Sequence, residues 1–343
     1  MIGIGNVFGF SLETTWGTPA GTVDNYAWTF AGMEGIEATV VEIRGEDLQD
    51  RTSRDDQVDP GTRQAAGPVA MDLQYGGGWI MFPSILTGED PVTTGAGPYV
   101  HTLHLGAALA GGGGGNSNLG EGITCFVDRA GTTASAGAKA WAYKGGKPKA
   151  IEFVFAMDGR CRMSADMWFQ DFASFGSRLT ASLPARSWMV SPSAAASPSD
   201  FFTYNATAYR AIAATIKLEQ DWEGLMDLQD PTANAHAIAS GMKVSGSVTI
   251  EAPESAAGSG GAFWDDYRSK TTRAMVFTAE GPTAASESLV ITLHSALVTN
   301  AQDPKVAGPG TLRHTVEFEG LFDSGNSEIG TLVLTSSDTA AWS

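Results

Sequence analysis

The sequence predicts a mainly β protein whose second half repeats the first, with one short helix in each half. Residues 244–251 put Val244, Gly246, Val248 and Ile250 on one side of an extended chain and Ser245, Ser247, Thr249 and Glu251 on the other. That period of two marks a strand with one buried face. Residues 67–75 carry a related pattern, with Gly67 matching Gly246, Val69 matching Val248, Met71 matching Ile250 and Asp72 matching Glu251. The third observation is order: strand, long loop, strand, short helix, loop and closing strand pair recur in each half.

A chain of 343 residues exceeds the roughly 100–200 of a typical domain, so two domains are expected. The predicted boundaries are 1–181 for the first domain, 182–200 for an Ala/Ser/Pro connection and 201–343 for the second domain. Residues up to about 25 are rich in Gly and Thr and read as an arm or loop. Residues 36–44 form a strand, and the polar stretch 46–63 is too long for a tight turn, so it reads as a projecting loop between strands. Trp79, Ile80, Phe82, Ile85 and Leu86 give a short helix that Pro83 limits. The region 87–118 is loop-dominated, includes the flexible run Gly111 to Gly115, and contains a strand at 99–105.

The strongest hairpin follows. Ile151, Phe153, Phe155 and Met157 alternate with polar or small residues up to Asp158-Gly159, a dipeptide suited to a type I′ turn. Cys161, Met163, Ala165, Met167 and Phe169 then alternate on the return strand. In the second half, Ile212, Ala214, Ile216 and Leu218 mark the counterpart of strand 36–44. A polar loop at 221–236 occupies the place of the earlier loop. Phe263, Trp264 and Tyr267 mark a helix, and strands at 274–278, 289–294 and 312–321 complete the half.

Charge and motifs narrow the function. With 21 basic against 38 acidic residues the net charge is −17, which argues against gripping nucleic acid or an anionic membrane. The N-terminus has no basic leader, and no apolar run reaches membrane-spanning length. Cys125 and Cys161 lack metal or redox spacing and read as buried free thiols. His101 and His104 fall on opposite faces of one strand, and His294 and His314 read as solvated or hydrogen-bonded strand residues, so no metal is expected. Lys144-Gly145-Gly146-Lys147 precedes a strand and reads as a turn, not a phosphate loop. The acids between Asp47 and Asp59 lack a calcium-loop pattern. No nucleophile elbow or Cys/His pairing is present, so no enzyme and no cofactor are expected.

Several stretches taken in order resemble the two-domain tail tube proteins of long-tailed (siphovirus-like) bacteriophages. They are Glu13-Thr14-Thr15-Trp16-Gly17-Thr18-Pro19, the loop bearing Arg51, Ser53 and Arg54, and the Gly-x-Val strand at Gly67. Leu86-Thr87-Gly88 at a helix end, Tyr99-Val100-His101-Thr102-Leu103, Tyr143-Lys144-Gly145 and Val244-x-Gly246-Ser247-Val248 follow. The resemblance implies duplicated β-sandwich or barrel domains, each with a flanking helix, in a structural virion protein. Its subunits would form rings, three chains with pseudo-sixfold symmetry or six chains, stacked into a hollow tail through which DNA passes without specific binding. Tape-measure and tail-terminator or tip proteins are the partners it implies, with assembly in the host bacterial cytoplasm and no membrane contact.

Loop length, charge and equivalent position place Arg51, Arg54, Asp55, Asp56 and Asp59, with Asp227, Asp230 and His236, at the expected ring-stacking contact. Asp72, Gln74, Ser247, Thr249 and Glu251 are expected to face water, and so the lumen. The alternative reading is a β-sandwich carbohydrate-binding or adhesion module, with Trp79, Trp168 and Trp264 exposed for stacking on sugars.

Overall fold

Apolar–polar alternation governs most of the chain, because a strand covered on one face needs a side chain of each kind in turn. The computed structural model describes residues 7–27, 35–44, 58–76, 78–106, 121–128, 140–156, 161–175, 201–225, 235–238, 241–251, 259–281, 286–301 and 313–336. The first half contains β1 (Val7–Leu12), β2 (Asn25–Ala27), β3 (Glu37–Arg44) and β4 (Val58–Asp72). A 3-10 turn (Gly78–Ile80) then runs into α1 (Met81–Thr87), followed by β5 (Val92–Thr94) and β6 (Tyr99–Leu105). β7 (Ile123–Asp128), β8 (Ala140–Ala156), β9 (Arg162–Phe169) and β10 (Asp171–Phe175) close it.

The second half contains β11 (Phe202–Tyr204), β12 (Thr207–Tyr209), β13 (Ala211–Glu219), β14 (Trp222–Leu225), β15 (Ala235–Ile238) and β16 (Lys243–Glu251). α2 (Ser259–Ser269), β17 (Thr272–Glu280), β18 (Ser288–Ala301), β19 (Arg313–Leu321) and β20 (Gly330–Ser336) follow. The protein is thus mainly β. Its strands pair antiparallel into one large sheet, with β14–β15 as a separate ribbon.

The pairings trace a continuous run. β3 pairs β4, β4 pairs β9 and β9 pairs β8. β8 then pairs β13, which leads through β16 and β19 to β18. The order β3-β4-β9-β8 is therefore followed by β13-β16-β19-β18. The remaining strands match in the same way. β8 also pairs β7 and β10, β7 pairs β1 and β1 pairs β2. β18 also pairs β17 and β20, β17 pairs β11 and β11 pairs β12. A register slip skips Lys149 between Pro148 and Ala150 of β8, and another skips Thr299 between Val298 and Asn300 of β18. Only the first half has β5 and β6, and β6 reaches across to pair β20.

The buried face of each strand is the apolar one. In β16, Val244, Val248 and Ile250 are buried, and in β4 so are Val69 and Met71. Burying each such side chain contributes about 1.5–3 kcal/mol. Glycine matters at the crossing of these strands with their neighbours. A Cβ on Gly246 would lie 2.2 Å from the Thr215 carbonyl oxygen, and one on Gly67 would lie 2.1 Å from the Gly35 carbonyl oxygen. The matched glycines thus let the strand approach the residue before Ile216 in one half and before Ile36 in the other.

Several expectations are corrected. The N-terminal arm contains strand β1, whose Phe8 and Phe10 are buried. The polar loop at 221–236 contains the ribbon β14–β15, and Trp222 is buried. The Lys144–Lys147 segment is not a turn but lies inside β8, with Gly145 at φ +66°. β20 was not anticipated. Pro83 sits in the first helical turn of α1, where no backbone N–H is required, and Gly88 ends the helix at φ 72°. The turn at Asp158-Gly159, the run Gly111 to Gly115 and the connection 182–200 lie outside the described residues.

Gly246→Ala is expected to cost about 1–3 kcal/mol by overpacking, because its Cβ would press on backbone. Gly241→Ala, where nothing lies within 4 Å, should leave stability unchanged. Denaturant unfolding of the two variants checks the contrast, and equal stabilities would contradict this account of the strand crossing.

Candidate functional site

Directly opposed residues of an antiparallel pair share a face, so the register defines the polar side of the run from β4 to β19. Glu152 faces Ser164 and Lys217, and Lys217 faces Ser245. Ser245 faces Glu319, Ser247 faces Glu317, Thr249 faces Thr315 and Glu251 faces Arg313. Asp166 and Glu219 both face Ala150. Glu152, Asp166, Glu219, Glu251, Glu317 and Glu319 therefore share this surface with five cations, Arg162, Arg210, Lys217, Lys243 and Arg313, so opposite charges are nearly balanced there. The hydroxyls of Thr249 and Thr315 are 3.1 Å apart. Lys217 pairs with Glu219 at 2.5 Å and Arg210 with Glu251 at 3.1 Å.

Ser247, Thr249 and Glu251 are half-buried on this polar face. The expectation that Asp72 and Gln74 face water is corrected, since both are buried, Asp72 at 6% exposure. Burial is continuous from Met71 to Gly76, so the exposed–buried alternation of β4 ends there. Asp72 lies 3.5 Å from the Arg162 guanidinium, its cross-strand partner. Arg51, Arg54, Asp55, Asp56, Asp227 and Asp230 lie outside the described residues. Asp59 falls in β4 and His236 in β15, but their side chains are outside the description.

A second constellation, which sequence reasoning missed, joins two of the motifs noted above. Glu13, fully buried, accepts hydrogen bonds at Oε1 from the Gly145 N–H and the Thr124 hydroxyl and at Oε2 from the Gly17 N–H, each at 2.7 Å. Trp16 Nε1 donates to the Gly145 carbonyl at 3.1 Å, and its ring stacks on Trp168. The loop after β1 is thereby clasped onto β7 and β8. Lys147, also fully buried, donates from Nζ to the Glu121 carbonyl and lies 4.9 Å from the centre of the Trp222 ring. Burial pushes the Glu13 carboxyl above its usual range, opposed by the hydrogen bonds it accepts. Burial likewise pulls Lys147 down to about 8, opposed by the Glu13 and Glu121 carboxylates. The signal for this clasp was the shared presence of both segments in the resemblance, since neither alternation nor charge marks it.

The histidines serve joints between elements. His104 Nδ1 and His294 Nε2 contact the two oxygens of Glu328 at 2.5 and 2.8 Å, and His101 lies buried with Nδ1 2.9 Å from the Thr93 hydroxyl. His314 is buried rather than solvated, with its ring edge-on to Phe263. Cys125 and Cys161 are free and buried as expected, and burial raises the Cys161 thiol. Among the described residues no three ligating side chains converge to hold a metal, and no helix is long and apolar enough to cross a membrane. Of the three tryptophans in the alternative reading, Trp79 and Trp168 are buried and only Trp264 is exposed. No known family model matches the chain, and no curated protein matches it.

Lys147 gives a pH test. Its folded value near 8 lies below the unfolded value of about 10.4. The unfolded chain therefore holds more protons between those values, and stability rises with pH across that window. The stability of the native chain relative to Lys147→Met should increase from about pH 7.5 to 10 in denaturant titrations. A flat difference would contradict the buried placement of the ammonium.

Proposed function

We propose that the chain is the major tail tube subunit of a long-tailed bacteriophage, a virion protein that forms stacked rings around a DNA channel. In this reading it contains two duplicated sandwich-type units, one derived from residues 1–181 and the other from 201–343. The observation that carries the reading is the repeated strand order and its junction. β8, the last strand of the first run, pairs with β13, the first strand of the second. Among the described residues, β3 has no partner on its other edge and β18 has none beyond Leu297. The two loose edges are thus of the kinds that the β8–β13 junction joins. Edges so related join head to tail, and rotation of successive copies closes them into a ring with no free edge.

Exposure of matched positions supports this. The Gly67 and Gly246 crossings align Ile36 with Ile216, and so Val40 with Gln220. Gln220 is 6% exposed, covered at the β8–β13 junction, whereas Val40 is 46% exposed. A neighbouring copy on β3 would supply the missing cover. In this reading the polar face lines the bore, and the net charge of −17 keeps passing DNA from adhering. Three chains complete six such units. The connections from β3 to β4 and from β13 to β16 would meet the next ring, although residues 58–63, expected in the first of them, belong to β4.

The junction also fixes a register between copies. Gln220 N–H donates to the Lys149 carbonyl at 2.9 Å, and Glu219 faces Ala150. Carrying this over by the two matched register slips places Val40 opposite Thr299 and Thr39 opposite Asn300. The latter is a non-hydrogen-bonded pair, in which Cα atoms lie about 4.5 Å apart, within disulfide reach. Oxidation of a Thr39→Cys, Asn300→Cys double variant should give a covalent ladder ending at the closed ring on non-reducing gels. Assembled rings that yield no links would contradict the register.

A further inference from the structure

The helices of the two halves are covered differently. α1 packs on β8 and α2 on β18, the strands that end the two four-strand runs. Phe82 of α1 meets Phe10 of β1 with ring centroids 5.1 Å apart, and Phe263 of α2 meets Tyr204 of β11 at 4.4 Å. Phe82 and Phe263 thus hold matching places, which aligns Pro83 with Trp264, Ser84 with Asp265 and Leu86 with Tyr267. Pro83, Ser84 and Leu86 are buried, whereas Trp264 is 37% exposed, Asp265 is exposed and Tyr267 is half-buried.

α1 also touches β6, whose Leu103 and Leu105 are fully buried and which pairs along β20 of the second half. The second half has no counterpart to β6, because Thr272 opens β17 directly after the end of α2 at Ser269. The first-half strand in the place of β20 is β10, since β10 pairs β8 as β20 pairs β18. Among the described residues the other edge of β10 takes no strand. The Arg63 guanidinium reaches it instead, donating to the Phe172 carbonyl at 3.1 Å, and Ala173 and Ser174 are exposed.

We propose that the exposed face of α2, formed by Trp264 and Tyr267, packs against β10 of a second copy of this chain. The proposal rests on the tube reading, in which the relation that sets β20 beside β6, itself in contact with α1, also brings β10 of the next copy toward α2. Here the helix meets the strand without an intervening β-strand, and the Arg63 side chain already occupies part of the edge that a strand would need. Trp264 and Tyr267 form one surface, with ring centroids 5.6 Å apart and the Lys270 ammonium 4.3 Å from the Tyr267 ring centre. Large aromatic side chains of this kind are the usual anchors of protein interfaces.

The test compares subunits with assembled material. Hydrogen exchange of the Ser174 amide, which like the Phe172 carbonyl points away from β8, should slow at least tenfold on assembly of the unaltered protein. A cysteine introduced by Trp264→Cys, or by Asp265→Cys if the first variant does not assemble, should react with a water-soluble maleimide at least tenfold more slowly in the assembly. Cys125 and Cys161 are buried and leave the label specific. Rings or tubes in which both sites stay as accessible as in the subunit would overturn this contact and leave the tube reading standing. Complete failure of the unaltered protein to form rings would overturn both.

Discussion

The β8–β13 pairing is the interaction on which the rest of the structure depends. A strand edge carries a row of backbone N–H and C=O groups that must be paired or hydrated, and a long bare edge invites another strand. By pairing the last strand of one run with the first of the next, the chain satisfies that edge internally and turns two four-strand runs into one surface. The same pairing brings Trp222 over Lys147 and so locks the N-terminal clasp to the second half. Among the described residues the edges left without a partner strand lie at β3 and at β18 beyond Leu297, the two edges that the proposed ring would join.

The two faces of that surface obey different physics. The apolar face is held by burial, with Val248, Ile250, Val69 and Met71 taking part in a continuous core. The polar face is held by hydrogen bonds and ion pairs across strands, such as Arg210 with Glu251, which contribute little individually because they are solvated. Such a face can be tuned in charge without disturbing the fold. The clasp is the reverse case. Glu13 lies in the interior, where loss of a hydrogen-bond partner leaves a buried polar group unsatisfied at about 1–3 kcal/mol, so this part of the chain tolerates little change.

Alternation made β16, β4, β8, β9, β13 and β19 legible in the sequence, because each has one covered face and a period of two. The Gly67–Gly246 match was legible too, and the close approach of a neighbouring carbonyl explains why glycine stands at both positions. Other features left weaker traces. β1 is short and Gly-interrupted, and its Phe8 and Phe10 look like loop residues until Phe10 meets Phe82. β14 and β15 lie within a polar stretch whose pairing depends on tertiary position. Asp72 and Gln74 keep the polar pattern of a solvent-facing strand but are buried, Asp72 beside its cross-strand partner Arg162, and no local spacing encodes that cover. Glu13 and Gly145 are 132 positions apart, and their meeting depends on the β1–β7–β8 pairing.

Electron microscopy of the assembled protein, viewed down the tube axis, tests most directly whether the loose edges of β3 and β18 close on one another. The account predicts rings of three chains with pseudo-sixfold density, a continuous wall of strands around an open bore, and the polar face of β16 and β19 turned toward it. A monomer with no rings at assembly concentrations, or rings whose bore is lined by the helices, would contradict it.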